Sequence, residues 1–138
     1  MESCPMCTKW DDEPELRIAE LARCRVFLNR DQFFPGYCFV VAREHVTELF
    51  QLDPAARSAV IEEVNSTAAA LYRLFKPDKM NYELLGNMVP HMHWHLVPRF
   101  RSDRLWPRPI WAEPHDEMFL SPDAYSERIE LIRKAMTS

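Results

Sequence analysis

Residues 91–97 read His-Met-His-Trp-His-Leu-Val, which sets three of the chain's five histidines at every second position. A β-strand turns successive side chains to opposite faces, so a period of two suits a strand and little else. Extended, the segment lines up His91, His93 and His95 on one face and turns Met92, Trp94 and Leu96 to the other. On a helix the same imidazoles would scatter around the axis. Pro90 precedes the run and Pro98-Arg99-Phe100 continues it, so the expected strand covers residues 91–100. Such a row can hold a metal, bind phosphate, or attack an electrophile and pass protons. A surface strand with only adventitious metal affinity is the plain alternative, and the strict alternation with apolar residues weighs against it.

The remaining chain supplies neighbours for that strand. Residues 24–29 and 37–42, rich in aromatic and β-branched side chains, read as strands joined through the Phe34-Pro35-Gly36 turn signal. Residues 15–21 suit either a strand or a helical turn. Asp53-Pro54 is a helix start, with Asp as cap and Pro at the first helical position. Downstream, Val60, Ile61, Val64, Ala68, Leu71 and Phe75 make the apolar stripe of a long helix ending near Lys76-Pro77. Residues 80–85 read as a strand turning at Gly86-Asn87, beside the histidine strand because consecutive strands tend to pair. Ser121-Pro122 opens a last helix through Tyr125, Ile129, Leu131 and Ile132, after a Pro- and Trp-rich stretch without periodicity. The expected architecture is α+β in a single domain spanning 1–138: an antiparallel sheet, one long helix packed on it, and an irregular then helical C-terminal segment.

Composition narrows the function. A net charge of −4 argues against nonspecific binding to nucleic acid or anionic membranes, and no stretch approaches the length of a membrane span. Met1-Glu2-Ser3-Cys4-Pro5 lacks the basic and apolar parts of an export signal, so a cytoplasmic location is expected. Only two glycines occur, Gly36 and Gly86, which removes the glycine-rich phosphate loop and the dinucleotide fingerprint. Phosphate chemistry here needs another device, and the histidine row is the candidate. Cys4-Pro5-Met6-Cys7 has the spacing that lets two thiolates chelate one metal, with a redox pair or idle thiols as alternatives. Cys24 and Cys38 fall inside expected strands and read as core thiols.

Residues 91–97 match, position for position, the His-φ-His-φ-His-φ-φ mark of the histidine triad family, where φ is apolar. The likeness extends further. Phe34 to Val41, followed by Arg43-Glu44-His45-Val46, resembles the family's hairpin ending in a basic residue, a histidine and an aliphatic residue. Leu84-Leu85-Gly86-Asn87, Pro90 and Pro98-Arg99 resemble the bacterial branch of diadenosine polyphosphate hydrolases. The resemblance covers residues 4–103 and leaves 104–138 outside it.

What the resemblance implies is specific. The fold would be a five-stranded antiparallel sheet with one long helix and a C-terminal helix. The activity would be nucleotide hydrolysis at the α-phosphate of a dinucleoside polyphosphate or nucleoside phosphoramidate, through a covalent nucleotidyl-histidine intermediate. His93 would be the nucleophile. His95 would donate to phosphate oxygens and, when protonated, steady charge or assist the leaving group. Uridylyltransferases of the family carry glutamine at that position, so His95 favours water over a sugar phosphate as acceptor. Asn29 matches a position that touches the ribose, and Asn87 lies in the loop lining the phosphate path; simple turn chemistry accounts for either as well. By the same likeness Cys4, Cys7, His45 and His91 would bind a structural zinc, and the chain would form a two-fold homodimer. A zinc-stabilised nucleotide-binding module without turnover and a nucleotidyltransferase are the alternatives. Trp106, Trp111 and Phe119 would stack on a base, cover a partner's site or pack the last helix, while His115 reads as a surface residue.

Overall fold

The computed structural model describes residues 3–138. Five strands, β1 (Arg17–Glu20), β2 (Cys24–Leu28), β3 (Cys38–Ala42), β4 (Lys79–Leu84) and β5 (His93–Arg99), form one sheet in the order β1-β2-β3-β5-β4. Every neighbouring pair is antiparallel, as expected. Helix α2 (Pro54–Phe75) carries the chain from β3 to the edge strand β4, and β5 returns between them. Helix α1 (Pro5–Asp12) precedes the sheet and α3 (Pro122–Thr137) follows it.

Helix α2 starts where Asp53 accepts a hydrogen bond from the Ala56 amide at 2.8 Å, a cap that contributes about 1 kcal/mol. It ends at Lys76, whose backbone is left-handed (φ +52°), just before Pro77. Its buried side chains Val60, Val64, Ala68 and Leu71 are spaced four, four and three residues apart and meet Val26, Leu28, Val40 and Leu96 of the sheet. Ile61 sits one step off that stripe and is exposed. Tyr125, Ile129 and Ile132 of α3 join the same core, whereas Leu131 faces out. Each fully buried aliphatic side chain here stabilises the fold by about 1.5–3 kcal/mol. Both long helices therefore cover one face of the sheet. Gly36 (φ +88°) turns β2 into β3, and a Cβ there would stand 2.8 Å from the Phe75 ring, so only glycine fits.

The other face carries the histidines. Alternation sends Trp94 and Leu96 into the helix-side core and leaves His93, His95, Val97 and Arg99 on the opposite side. Across the β3–β5 ladder Phe39 faces His95 and Val41 faces His93. Residues 15–21 combine both expected conformations, a 3₁₀ turn (Pro14–Leu16) leading into β1. The histidine strand is shorter than expected, because His91 lies in a bend before β5, its ring hydrogen-bonded to the Ala42 carbonyl. Helix α1 is not announced by periodicity, since eight residues hold barely two turns.

The aperiodic C-terminal stretch is ordered by one buried ion pair. Arg99, 1% exposed, donates from Nε to Asp103 at 2.7 Å, from Nη2 to Asp103 at 3.0 Å and from Nη1 to Asn81 at 3.1 Å. Asp103 also accepts from the Phe100 and Leu105 amides. Leu105 and Ile110 then pack with Phe34, Tyr37 and Val97 in a second apolar cluster on the histidine face. That packing walls in one side of the site.

Candidate functional site

His93 and His95 stand two residues apart on β5, with ring centroids 5.0 Å from each other. His93 donates from Nδ1 to the His91 carbonyl at 2.5 Å. A carbonyl only accepts, so Nδ1 holds the proton and Nε2 of the neutral ring keeps its lone pair. Among the described residues no buried side-chain nitrogen or oxygen lacks a partner, so the free Nε2 atoms of His93 and His95 reach open space. The His95 ring is enclosed by Phe39 at 5.0 Å, Trp111 at 5.6 Å and Tyr37, whose phenol oxygen lies 2.6 Å from His95 Nδ1. Burial, with the neighbouring His93 adding to it, lowers the His95 pKa to about 4. At that value the ring is uncharged at neutral pH, and donation from it comes from a neutral N–H. Burial pushes the Tyr37 phenol well above its ordinary value.

Two cavities meet at this point. The larger, about 480 Å³, is lined by Asn29, Phe34, Phe39, His95, Trp111 and His115 among others. The smaller, about 270 Å³, is lined by Asn87, Met88, Val89, His93, His95 and Trp111. His95 and Trp111 thus border both. Asn29, just past β2, donates from Nδ2 to the Asp31 carbonyl at 3.0 Å and opens onto the larger space. Asn87 opens onto the smaller one beside His93.

Sequence reasoning missed several lining residues. His115 is not an isolated surface residue: it stacks on Phe33 with centroids 3.8 Å apart and lines the larger cavity. Trp111 stands edge-on to His95 of its own chain, 57% exposed, with its indole N–H donating to Glu83 at 2.9 Å. Tyr37 was legible in principle, since it precedes Phe39 and Val41 of β3 at the same period of two that aligns the histidines. Trp106 lies over the Arg99 guanidinium, and Phe119 is exposed beside α3.

The four residues expected to bind metal lie together. Their ligand atoms all fall within 4.8 Å of one another. His91 Nδ1 is 3.5 Å from Cys4 Sγ, 3.4 Å from Cys7 Sγ and 3.1 Å from His45 Nδ1, and Cys7 Sγ is 3.2 Å from His45 Nδ1. Around a tetrahedral ion with bonds of about 2.3 Å to sulfur and about 2.0 Å to nitrogen, neighbouring ligand atoms stand roughly 3.3–3.8 Å apart. The cluster is close to that spacing. His91 donates from Nε2 to the Ala42 carbonyl at 2.7 Å, which leaves the Nδ1 lone pair aimed at the sulfurs. Burial, then the adjacent Cys4 sulfur, raises the Cys7 thiol, a penalty that a cation between them would reverse. These residues can hold a metal ion. Cys4 caps α1 and Cys7 lies three residues on, so one helix turn presents both sulfurs. Cys24 and Cys38 are buried core thiols, and burial pushes Cys24 up to about 12.

The family model described as HIT domain matches residues 11–102. The chain belongs to the HIT domain family. Its relatives include the asymmetrical bis(5'-nucleosyl)-tetraphosphatase of Schizosaccharomyces pombe, 26% identical over 82 residues, covering 56% of this chain and 45% of that protein. An adenylylsulfatase of Arabidopsis thaliana is 23% identical over 100 residues, covering 69% of this chain and 51% of that one. The chain therefore aligns with about half the length of these two relatives. Among solved structures, a histidine triad protein from Bradyrhizobium japonicum superposes with a TM-score of 0.81 at 27% identity, covering 88% of this chain and 90% of that chain. A Zn-bound histidine triad family protein from Mycobacterium smegmatis shares the fold with a TM-score of 0.71 at 24% identity, covering 98% and 94%. Among the described residues, no helix of this HIT-domain protein is long and apolar enough to cross a membrane.

Proposed function

We propose that this HIT-domain protein hydrolyses nucleotidyl compounds, dinucleoside polyphosphates or nucleoside phosphoramidates, by covalent catalysis on His93. The observation that carries this reading is the hydrogen bond from His93 Nδ1 to the His91 carbonyl, which leaves Nε2 as a nucleophile at the cavity. Nε2 attacks the α-phosphorus, the bond from phosphorus to the leaving group breaks, and the leaving group takes up a proton. Water then attacks the same phosphorus, releasing the nucleoside monophosphate and restoring His93. Splitting one difficult displacement into two is what an imidazole nucleophile contributes. His95 lies beside the reacting centre as a neutral hydrogen-bond donor to phosphate oxygens. Asn29 holds the ribose in the larger cavity, and Asn87 lines the phosphate path in the smaller one.

Cys4, Cys7, His45 and His91 hold a structural zinc in this reading, as the chemistry of the donor set and the Zn-bound relative support. Bound there, the ion pins α1 to the sheet. What this chain supplies is the link onward: the carbonyl of His91, itself a member of the cluster, accepts the His93 proton. Thiols outside any disulfide, Cys24 and Cys38 in the core and Cys4 and Cys7 at the metal cluster, fit a reducing, cytoplasmic setting. The homodimer forms along helix α2 and the open edge of β4, where Tyr72 of α2 and Tyr82 and Leu84 of β4 are exposed. A monomer in sedimentation velocity would remove that part of the reading.

The test is replacement of the nucleophile. His93→Ala or His93→Asn abolishes turnover of diadenosine tetraphosphate and adenosine phosphoramidate while nucleotide affinity stays within about tenfold, ~1.4 kcal/mol. Mass spectrometry of the wild type during turnover detects a nucleotidyl group on His93. Equal turnover in variant and wild type refutes the mechanism, and binding without turnover in the wild type leaves only a nucleotide-binding module.

A further inference from the structure

We propose that Tyr37 is a positioning residue for His95: its hydroxyl donates to Nδ1 and thereby commits the ring's proton to Nε2, facing the substrate. This rests on the proposed hydrolase site and adds to it a residue from the turn just before β3. The phenol oxygen and His95 Nδ1 are 2.6 Å apart in a buried setting, Tyr37 being 6% exposed and His95 7%. Two arrangements fit that distance. If Nδ1–H donated to the phenol, the phenol's own hydrogen would need a second acceptor, and among the described residues it has none. That hydrogen would be left to the cavity Tyr37 lines, without the protein acceptor that the opposite arrangement gives it. If the phenol donates, its hydrogen is satisfied and the only remaining ring proton is on Nε2. Burial holds the phenol proton on, so the donor is present at neutral pH.

The consequence is chemical. In water a neutral imidazole samples both tautomers and rotates freely. Here one tautomer faces the junction of the two cavities, with Nε2–H ready to meet a phosphate oxygen or the leaving atom. His93 reaches the opposite arrangement through a carbonyl acceptor, which puts its proton on Nδ1 and its lone pair toward substrate. Adjacent histidines on one strand face are therefore differentiated, one into a nucleophile and one into a donor, purely by the partner behind each ring. The other charged groups around the pair are engaged elsewhere: Asp31 accepts from the Phe33 and Met118 amides, Glu113 pairs with Arg104 and Arg108, His115 stacks on Phe33, and Glu83, the neighbour of His95 across the β4–β5 ladder, accepts from Trp111.

Nitrogen-15 NMR of the full-length protein with labelled histidine at pH 7 reads the tautomer directly. The expected spectrum of the wild type has His95 Nε2 protonated and Nδ1 as an unprotonated acceptor. Tyr37→Phe keeps the packing against Phe39, removes the acceptor signature at Nδ1, and lowers kcat about tenfold with KM within about twofold, part of the hundredfold or more that a positioned proton donor contributes. A wild-type spectrum with the proton on His95 Nδ1 overturns the proposal whatever the variant does. So does a Tyr37→Phe protein with unchanged kcat. The expected tautomer in a protein that turns over no nucleotide supports the Tyr37 assignment and refutes the hydrolase reading, so the two fail separately.

Discussion

Asp103→Ala tests how the aperiodic segment is held against the site. The substitution leaves the Arg99 guanidinium 1% exposed with a single side-chain partner, Asn81, in place of a two-pronged carboxylate. Removing one member of a buried ion pair costs about 3–5 kcal/mol, because the other charge stays desolvated. The lower end applies here. Asn81 remains, the guanidinium still lies 5.1 Å from the Phe34 ring centroid, and the Asp103 side chain is itself 14% exposed, so water can enter. Set against this, the Phe100 and Leu105 amides lose their acceptor. A loss of about 3 kcal/mol follows. With an unfolding entropy of roughly 2.1 cal/mol/K per residue, the midpoint of this 138-residue chain falls by about 10 °C. Circular dichroism melts and urea titrations measure both quantities. The effect depends on pH. Burial opposes the Asp103 charge, but the Arg99 guanidinium and backbone amides outweigh it and hold the carboxyl below its usual range. A carboxyl lowered in the folded state stabilises it above the unfolded pKa of about 3.9 and ceases to as pH falls through the folded value. The gap between wild type and variant is therefore widest near neutrality and narrows below about pH 4. A midpoint shift under about 3 °C at pH 7 would refute the view that this pair anchors the segment.

Two further outcomes follow from the same geometry. Protein purified without added metal carries about one equivalent of zinc, and Cys7→Ser loses it, melts lower and turns over about ten- to a hundredfold more slowly, the usual cost of disturbing groups that orient a site; less than half an equivalent in fully active wild type would remove the zinc reading, and atomic absorption decides. Trp111→Ala removes the side chain bordering both cavities and weakens nucleotide binding about two- to twelvefold, the worth of one aromatic contact at about 0.5–1.5 kcal/mol, as calorimetry would show; unchanged affinity would mean that the exposed indole meets no ligand.

Much of this molecule was legible before any coordinates. The alternation at 91–97 specified a strand with its three histidines on one face, which holds for His93 and His95 but not for His91 in the bend before it; Asp53-Pro54 specified where α2 begins, and Ser121-Pro122 did the same for α3. These signals are local, because a period or a cap is read from residues a few positions apart. Cys4, Cys7, His45 and His91 were assembled on the page only through the likeness to a family, since nothing in their spacing says that residues 87 positions apart will touch. Register and packing brought them together. The same holds for Trp111 and His115 on the larger cavity, and for Arg99 closing on Asp103 to order a stretch without periodicity. Local pattern determines which way a side chain points; what stands opposite it depends on how strands pair and which surfaces must leave water, and those choices are made by the whole chain at once.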